Sequence, residues 1–543
     1  MLMGGVEPLT GKQAGRAFPY QPGRCKTMLT RLKISGFKNL VDVDVLFGPF
    51  TCIAGVNGVG KSNLFDAIHF LSVLAEQPLL EAAKSVRDES GRTTDVRSLF
   101  HQAGQDYDDQ MSFEAEMIVP RSGSDDLGQA ARATTTFLRY TLVLRYRKEE
   151  NNVAAGPLEL LKEELTPIKL GDAPKHLLFP HNATAWRKSA VWGRRVGHFI
   201  STDEQGPRRI IRLHQDNQNS TGGGRALERS AVSLPRTVLS SVTAAESPTA
   251  LLARREMASW RRLQLEPSSL RKPDEFTAPA RIGVDGSHLA SALYHLAHSR
   301  SSAGNGVPND EASEGLYSKL ANRLAELMED VRKIRVDRDE RRELYTVQVT
   351  DVDRTTHSAR ALSDGTLRFL ALAVLELDPH SQGLLCLEEP ENGIHPSRIP
   401  AMLRLLQDIA AGTQEPVGPD NPLRQVIINT HSPLVVAQVP EDSLLLAELK
   451  DAVSGTKRFK RSCFSCLPNT WREAKTPEGE KPDIISRGDV IKFLNPIAPE
   501  SEGDDIHFGI RPRHPRRASS KTRRVVDRSD IGEWLIPEAA HNL

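Results

Sequence analysis

The chain of 543 residues has no apolar run approaching 18 residues, the length a membrane-spanning helix needs, and no membrane partner is expected. Its opening residues, Met1 to Thr27, lack the apolar core of a secretory signal. They also lack helix or strand periodicity, whereas an alternating strand starts at Met28, so residues 1–27 read as a disordered or non-native extension. Five cysteines (Cys25, Cys52, Cys386, Cys463 and Cys466) are too few and too scattered for a disulfide framework, and a reducing cytoplasm is the expected location. Cys463-Phe464-Ser465-Cys466 is a lone C-x-x-C with no second pair, which favours ordinary thiols over zinc. No heptad is sustained, which excludes a long coiled-coil arm. A net charge of +1 argues neither way on nucleic acid, since only local patches matter. The hydrophobic fraction of 39% is enough for two or more packed units.

What is present is organised around Gly55-Val56-Asn57-Gly58-Val59-Gly60-Lys61-Ser62, which fits G-x-x-x-x-G-K-[ST] directly after the apolar run Thr51 to Ala54. The glycines let backbone N–H groups of Asn57, Gly58 and Gly60 wrap a diphosphate. Lys61 reaches the outer phosphates, and the Ser62 hydroxyl is placed to hold Mg²⁺. Asn63 to Leu71 have helical apolar spacing, so a helix N-terminus also faces the phosphates. Strand, glycine-rich loop and helix together predict an α/β fold of the P-loop NTPase kind, a mixed sheet with helices on both faces.

Leu29 to Leu46 alternate as a hairpin before the P-loop strand, and Met111 to Val119 and Phe137 to Tyr146 read as further strands. These make residues 28–150 the first part of the core. Residues 151–343 read as an insert lobe, mainly helical, with patterns over Leu251–Gln264, Ser287–Ala297 and Leu316–Val331. Arg121–Thr136, Asp216–Ser247 and Ser301–Ser313 read as loops or disorder. The core resumes over 344–450, with buried strands at Gly383–Glu388 and Gln425–Thr430 and a further strand at Ser443–Ala447. Residues 451–543 read as an extension with a basic, flexible tail, Arg511 to Arg524.

Glu388 and Glu389 end a buried strand, a costly place for two carboxylates without work to do. In a P-loop site Glu388 would hold the Mg²⁺ shell and Glu389 would orient or deprotonate the attacking water. His431 ends the next buried strand, within reach of a γ-phosphate. Ser363-Asp364-Gly365 opens a helix and makes a second phosphate site from a hydroxyl and backbone N–H groups. One γ-phosphate is not easily cradled by this turn and the P-loop of the same core, which points to contact between two copies.

The wording of Leu32 to Leu40 (LKISGFKNL), the P-loop with Asn63, LSDGT at Leu362 to Thr366, LEEPENGIHP at Leu387 to Pro396 and NTHSP at Asn429 to Pro433 resembles the RecF-type, AAA-core (AbiEii-type) ATPases related to SMC and ABC proteins. The resemblance covers about half the chain. It implies an ABC/RecF-type core that uses ATP and Mg²⁺ and dimerises on ATP. Ser363 and Gly365 of one copy would close on nucleotide held by Lys61 and Ser62 of the other. Glu389 would be the catalytic acid, Glu388 the metal-side acid and His431 the switch residue. Lys38 and Asn39 are implied nucleotide contacts, and Gln102 the glutamine that senses Mg²⁺. Glu388 stands where P-loop ATPases usually carry Asp.

The expected function is ATP hydrolysis by a homodimer that acts on DNA in repair, genome maintenance or phage defence. Basic clusters at Arg254-Arg255 with Trp260-Arg261-Arg262, at Lys457–Arg461 and in the tail are the candidate DNA contacts. The alternative is a regulatory or scaffold ATPase that controls a separate toxin or nuclease effector. A transporter subunit would need the signature turn far closer to the P-loop.

Overall fold

The computed structural model describes residues 28–86, 95–147, 156–205, 208–216, 226–299, 310–328, 330–379, 381, 383–418, 420–454, 457–476, 482–495 and 524–525. The expected extension 1–27, most of the basic tail and much of the loops at 216–247 and 301–313 lie outside these residues. In chain order the elements used here are β1 (Met28–Ser35), β2 (Val43–Leu46), β3 (Phe50–Ala54), α1 (Lys61–Leu74), β4 (Gln110–Ile118), β5 (Phe137–Tyr146), β6 (Leu158–Pro167), β7 (Ile200–Gln205), β8 (Arg208–Leu213), β9 (Leu227–Ser230), β10 (Arg261–Leu263), α2 (Leu289–Ser299), α3 (Asp310–Ala325), α4 (Asp364–Leu377), β11 (Gly383–Glu388), α5 (Ile399–Ile409), β12 (Arg424–Thr430), β13 (Leu444–Ser454) and β14 (Lys457–Cys466).

A six-stranded sheet in the order β10-β11-β12-β3-β13-β14 is the core, parallel except for β14, which turns back on β13. Successive side chains on a strand face opposite ways, and here both faces are buried. Ile53, Cys386, Ile427 and Leu445 pack with α1 into one hydrophobic cluster. Cys52, Leu385, Leu387, Ile428 and Leu446 pack with α2 to α5 into a second. That two-sided burial is why β11 and β12 read as unbroken apolar runs. The other large sheet has eight antiparallel strands in the order β9-β8-β7-β6-β5-β4-β1-β2. It contributes residues such as Leu32, Phe113 and Leu142 to the α1 cluster. The two sheets are bolted together by the buried Gln425 amide, which accepts from Leu29 N at 2.9 Å and donates to Leu29 O at 2.7 Å and Gly48 O at 2.9 Å.

The segment 151–343 differs from the mainly helical lobe expected. Its first part, β6 to β9, extends the eight-stranded sheet. The alternation there is obscured because the β5–β6 register shifts between Leu160 and Lys162, so Leu160 and Leu161 are both buried. The helix expected over Leu251–Gln264 spans Pro248–Ala258 and gives way to β10, where Arg261, Arg262 and Leu263 pair in parallel with Leu385, Cys386 and Leu387. Tertiary pairing overrides helical spacing there. The helix expected over Leu316–Val331 ends at Ala325, and Val331 opens a strand paired with Leu344–Asp351, so the expected boundary at 343 falls within a hairpin. Arg121–Thr136 carries a small hairpin, Ser122–Ser124 with Ala130–Arg132. The strand expected to end at Ala447 runs on to Ser454 and pairs along its length with β14, so the boundary expected at 450 lies inside the core sheet.

One buried acid of the eight-stranded sheet makes fold stability depend on pH. Glu163 is fully buried and accepts from Val238 N at 2.7 Å, Leu239 N at 2.8 Å and the Tyr140 hydroxyl at 3.1 Å. Burial raises its carboxyl from 4.5 to about 7, against the pull of those donors. A pKa raised on folding contributes stability that is complete below the unfolded value and is lost as pH rises through the folded one. The melting temperature of the wild type is therefore expected to fall between about pH 5 and pH 8 more steeply than that of Glu163→Gln. Equal slopes in thermal unfolding would show that Glu163 titrates normally.

Candidate nucleotide-binding site

The P-loop joins the carboxyl end of β3 to α1, and its neighbours hold its shape. Gly58 (φ 82°) and Gly60 (φ 102°) adopt the left-handed region that glycine favours. A Cβ on Gly60 would strike the Ser462 hydroxyl and stand 2.8 Å from Asn39 Oδ1. Ser462, on β14, donates to Val59 O at 2.7 Å, and its N–H donates to Asn39 O at 3.0 Å. Asn63 Nδ2 donates to Asn39 Oδ1 at 2.8 Å. The N-terminus of α1 has no side-chain cap, which leaves its first N–H groups facing the loop. Lys61 folds back over the loop and donates to Gly55 O at 2.6 Å and Val56 O at 2.8 Å. Burial lowers its pKa, against the nearby charges of Glu389 and Glu391.

A cleft of about 450 Å³ opens over this loop. Asn57, Gly58, Gly60, Lys61, Ser62, Asn63, Lys38, Asn39, Gln102, Glu388 and Glu389 all line it. The Gln102 amide donates to Gly104 O at 2.9 Å within its own short hairpin. Glu389 takes a positive φ of 43° at the end of β11, and its N–H is held by Asn429 O and Asn429 Oδ1 at 3.2 and 3.0 Å. Its carboxylate accepts from Asn392 Nδ2 at 2.8 Å and meets His431 Nδ1 at 2.8 Å. Burial works to raise its pKa, but the hydrogen bonds from Asn392 and His431 and the charges of His431 and Lys61 hold it below the usual range. His431 thus reaches the cleft through Glu389 rather than by lining it.

Ser363 and Gly365 do not line the cleft. Ser363 caps α4, with Thr366 N donating to its hydroxyl at 3.2 Å. Gly365 packs so closely on the Gly393 carbonyl that a Cβ would collide with it. Asp364 pairs with Arg271, and Arg368 donates to Asn392 O and to Leu265 O, so the signature turn is tied to the turn that follows β11 in the same chain.

Several groups were not read from the sequence as part of this site. Phe459 and Lys460, on β14, line the cleft beside Tyr107 and His101, and Phe459 lies against His101 with ring centroids 4.7 Å apart. Nothing near Phe459 in sequence links it to a loop some 400 residues earlier. Glu391 sits within the motif LEEPENGIHP yet is buried, with one oxygen accepting from the Thr430 hydroxyl and the other without a hydrogen-bond partner. Burial raises its pKa. Arg262 bridges Asp66 Oδ1 at 2.8 Å and Glu388 Oε1 at 3.0 Å.

That last contact revises one expected DNA-binding cluster. Trp260 is buried and donates to Glu256, Arg261 is half-buried and donates to Ile282 O, Arg262 belongs to the cleft's charge network, and Arg254 and Arg255 both pair with Asp126. Of the other clusters, Lys457 pairs with Asp106 and Arg461 donates to Val41 O and Asp42 O. The C-x-x-C thiols are both buried, with Cys463 bonded to Asp483, and no group of three or more metal-ligating side chains gathers among the described residues. The Ser62 hydroxyl and Glu388 carboxylate both line the cleft, and that oxygen donor set fits Mg²⁺, which is usually held by one or two protein oxygens plus substrate phosphates. No helix among the described residues is long and apolar enough to cross a membrane.

Two AAA-domain family models match the chain. Residues 31–114 match the family model of an AAA domain, and residues 219–437 match that of an AAA domain described as putative AbiEii toxin, Type IV TA system. The DNA replication and repair protein RecF of Parabacteroides distasonis is 46% identical over 46 residues, 8% of this chain and 13% of that protein. RecF of Phocaeicola vulgatus is 44% identical over 46 residues, 8% of this chain and 12% of the relative. The chain therefore spans only about an eighth of the length of these relatives. Among solved structures, an SMC head bound to the C-winged helix domain of ScpA has a TM-score of 0.40 at 11% identity, covering 80% of this chain and 98% of that one. The SMC head domain of Thermotoga maritima has a TM-score of 0.32 at the same identity, with 80% and 98% covered. The two AAA matches fall on the two stretches that the core sheet joins around the P-loop, so both parts of the core are similar to AAA domains.

Proposed function

We propose that the chain binds ATP in the cleft over the P-loop and hydrolyses it to ADP and phosphate. The observation that carries this is the meeting of Lys61, Ser62, Glu388 and Glu389 on one cleft, with His431 hydrogen-bonded to Glu389. Lys61 exchanges its two loop carbonyls for phosphate oxygens. Glu389, kept ionised by Asn392 and His431, orients the attacking water and accepts its proton. Ser62 and Glu388 would hold a Mg²⁺ ion, which would supply charge neutralisation for the phosphates. The base lies at the aromatic end of the cleft, against Phe459 and Tyr107.

ATP is proposed to clamp two copies together, with Ser363 and Gly365 of one closing on the nucleotide of the other. In support, this turn opens an α-helix yet stands away from its own chain's cleft. DNA is the proposed substrate of the clamp, by analogy with the RecF relatives. The second reading, an ATPase that regulates a separate toxin or nuclease effector in the cytoplasm, is favoured by the AbiEii description of the family model matched over residues 219–437.

Two experiments test these statements. Phe459→Ala is expected to weaken binding of a fluorescent ATP analogue by about fivefold or more, since base–aromatic stacking contributes about 1–3 kcal/mol, while binding of inorganic tripolyphosphate is unchanged. Equal analogue affinity in variant and wild type would remove the base from this wall. Glu389→Gln is expected to cut phosphate release about 100-fold or more and to accumulate as a dimer with ATP and Mg²⁺ in light scattering. Monomers in both proteins at saturating ATP, with turnover indifferent to DNA, would discard the clamp in favour of the effector reading.

A further inference from the structure

Arg262 is the middle residue of β10, the short edge strand of the core sheet, and its Cα partner on β11 is Cys386. Residues two apart on a strand share a face, so Arg262, Cys386 and Glu388 lie on the side of the sheet that α1 covers. From there the guanidinium reaches Glu388 Oε1 through Nε at 3.0 Å and Asp66 Oδ1 through Nη1 at 2.8 Å. Asp66, on α1, also takes Lys38 Nζ at 2.9 Å. The side chains of Asp66, Glu388 and Arg262 are only 2%, 12% and 14% exposed. Two acids and two cations therefore alternate in one shielded chain. Its two ends, Lys38 and Glu388, line the nucleotide cleft, while Arg262 and Asp66 stand behind it.

Each charge in such a chain depends on its partners, because a shielded ion left alone is far costlier than the pair. The position of Glu388 usually carries Asp in P-loop ATPases, one methylene shorter. An aspartate on the same backbone would fall short of Arg262 Nε by about one carbon–carbon bond, ~1.5 Å. The extra length is what joins the metal-side acid to the guanidinium.

We infer that Arg262 is a resident counter-cation for Glu388: it neutralises the carboxylate in the nucleotide-free protein, so that a divalent metal gains Glu388 only when it arrives with nucleotide phosphates. Arg262 is a positioning residue, and the inference rests on the reading of Glu388 as the metal-side acid. Metal alone would have to compete with a preformed ion pair. Metal carried by phosphates brings compensating negative charge, and Arg262 keeps Asp66 as a partner when Glu388 turns to the metal.

The test uses Mn²⁺ as a spectroscopic stand-in for Mg²⁺, with the full chain and the electron paramagnetic resonance of free Mn²⁺ as readout. Without nucleotide, Arg262→Met and Glu388→Asp are each expected to bind Mn²⁺ about tenfold more tightly than wild type, about 1.4 kcal/mol. With a non-hydrolysable ATP analogue present, the gap is expected to narrow. Should Arg262→Met fail to fold, Glu388→Asp decides, because it leaves the Arg262–Asp66 pair intact. Folded Glu388→Asp with wild-type Mn²⁺ affinity in the absence of nucleotide would overturn the counter-cation role. Absence of any nucleotide-dependent Mn²⁺ uptake, in wild type as in the variants, would instead overturn the ATP–metal reading beneath it.

Discussion

The structure depends on one constraint: the parallel pairing of β3 with β12, two strands whose paired residues lie some 376 positions apart in sequence. Until Phe50–Ala54 lies between Arg424–Thr430 and Leu444–Leu446, neither sheet face is complete and neither hydrophobic cluster closes. Parallel strands cannot be joined by a tight turn, so everything between them must cross over and pack on a face. The segment after α1 does so by building the eight-stranded sheet, and the segment before β11 by building the helical layer. The chain is a single sheet's worth of core interrupted by what covers it.

That pairing also decides where charge gathers. In a parallel sheet all carboxyl ends point one way, and loops leaving β3, β11 and β12 emerge on one edge. The P-loop, the glutamate pair and His431 meet there because each follows its strand. The antiparallel β14 approaches the same edge from the opposite direction and brings Phe459, Lys460 and Ser462 over the loop. On the shielded side of that edge, charges are answered by charges: Lys38 with Asp66, Asp66 with Arg262, and Arg262 with Glu388. In water such pairs would contribute little. With Asp66 buried, each pair here is shielded from solvent and costs more to break than a surface pair.

The signature turn is held by a different logic. Gly365 is pressed against the Gly393 carbonyl and Arg368 binds Asn392 O, while Asn392 Nδ2 binds the Glu389 carboxylate. The helix that opens with Ser363 is thereby in physical contact with the residues that set the acid's ionisation.

The P-loop, the strands β3, β11 and β12, the paired glutamates and the helix after Ser363 are legible in the amino-acid order alone. Each is encoded within a dozen neighbouring residues, as a glycine spacing, an apolar run or a turn. It misread what is encoded across distance. Arg261–Leu263 continued a helical pattern until β11 claimed them as a strand, and Leu158–Pro167 hid its alternation behind a bulge. Arg262 looked like part of a basic surface and lies in the cleft's charge network. Phe459 carried no signal and Lys460 read only as part of a basic cluster, because a cleft wall assembled from segments hundreds of residues apart leaves no local spacing. Local rules are set by covalent neighbours and their backbone angles. Partners for buried charges and edge strands are set only when the whole sheet has formed, and that the tertiary structure alone decided.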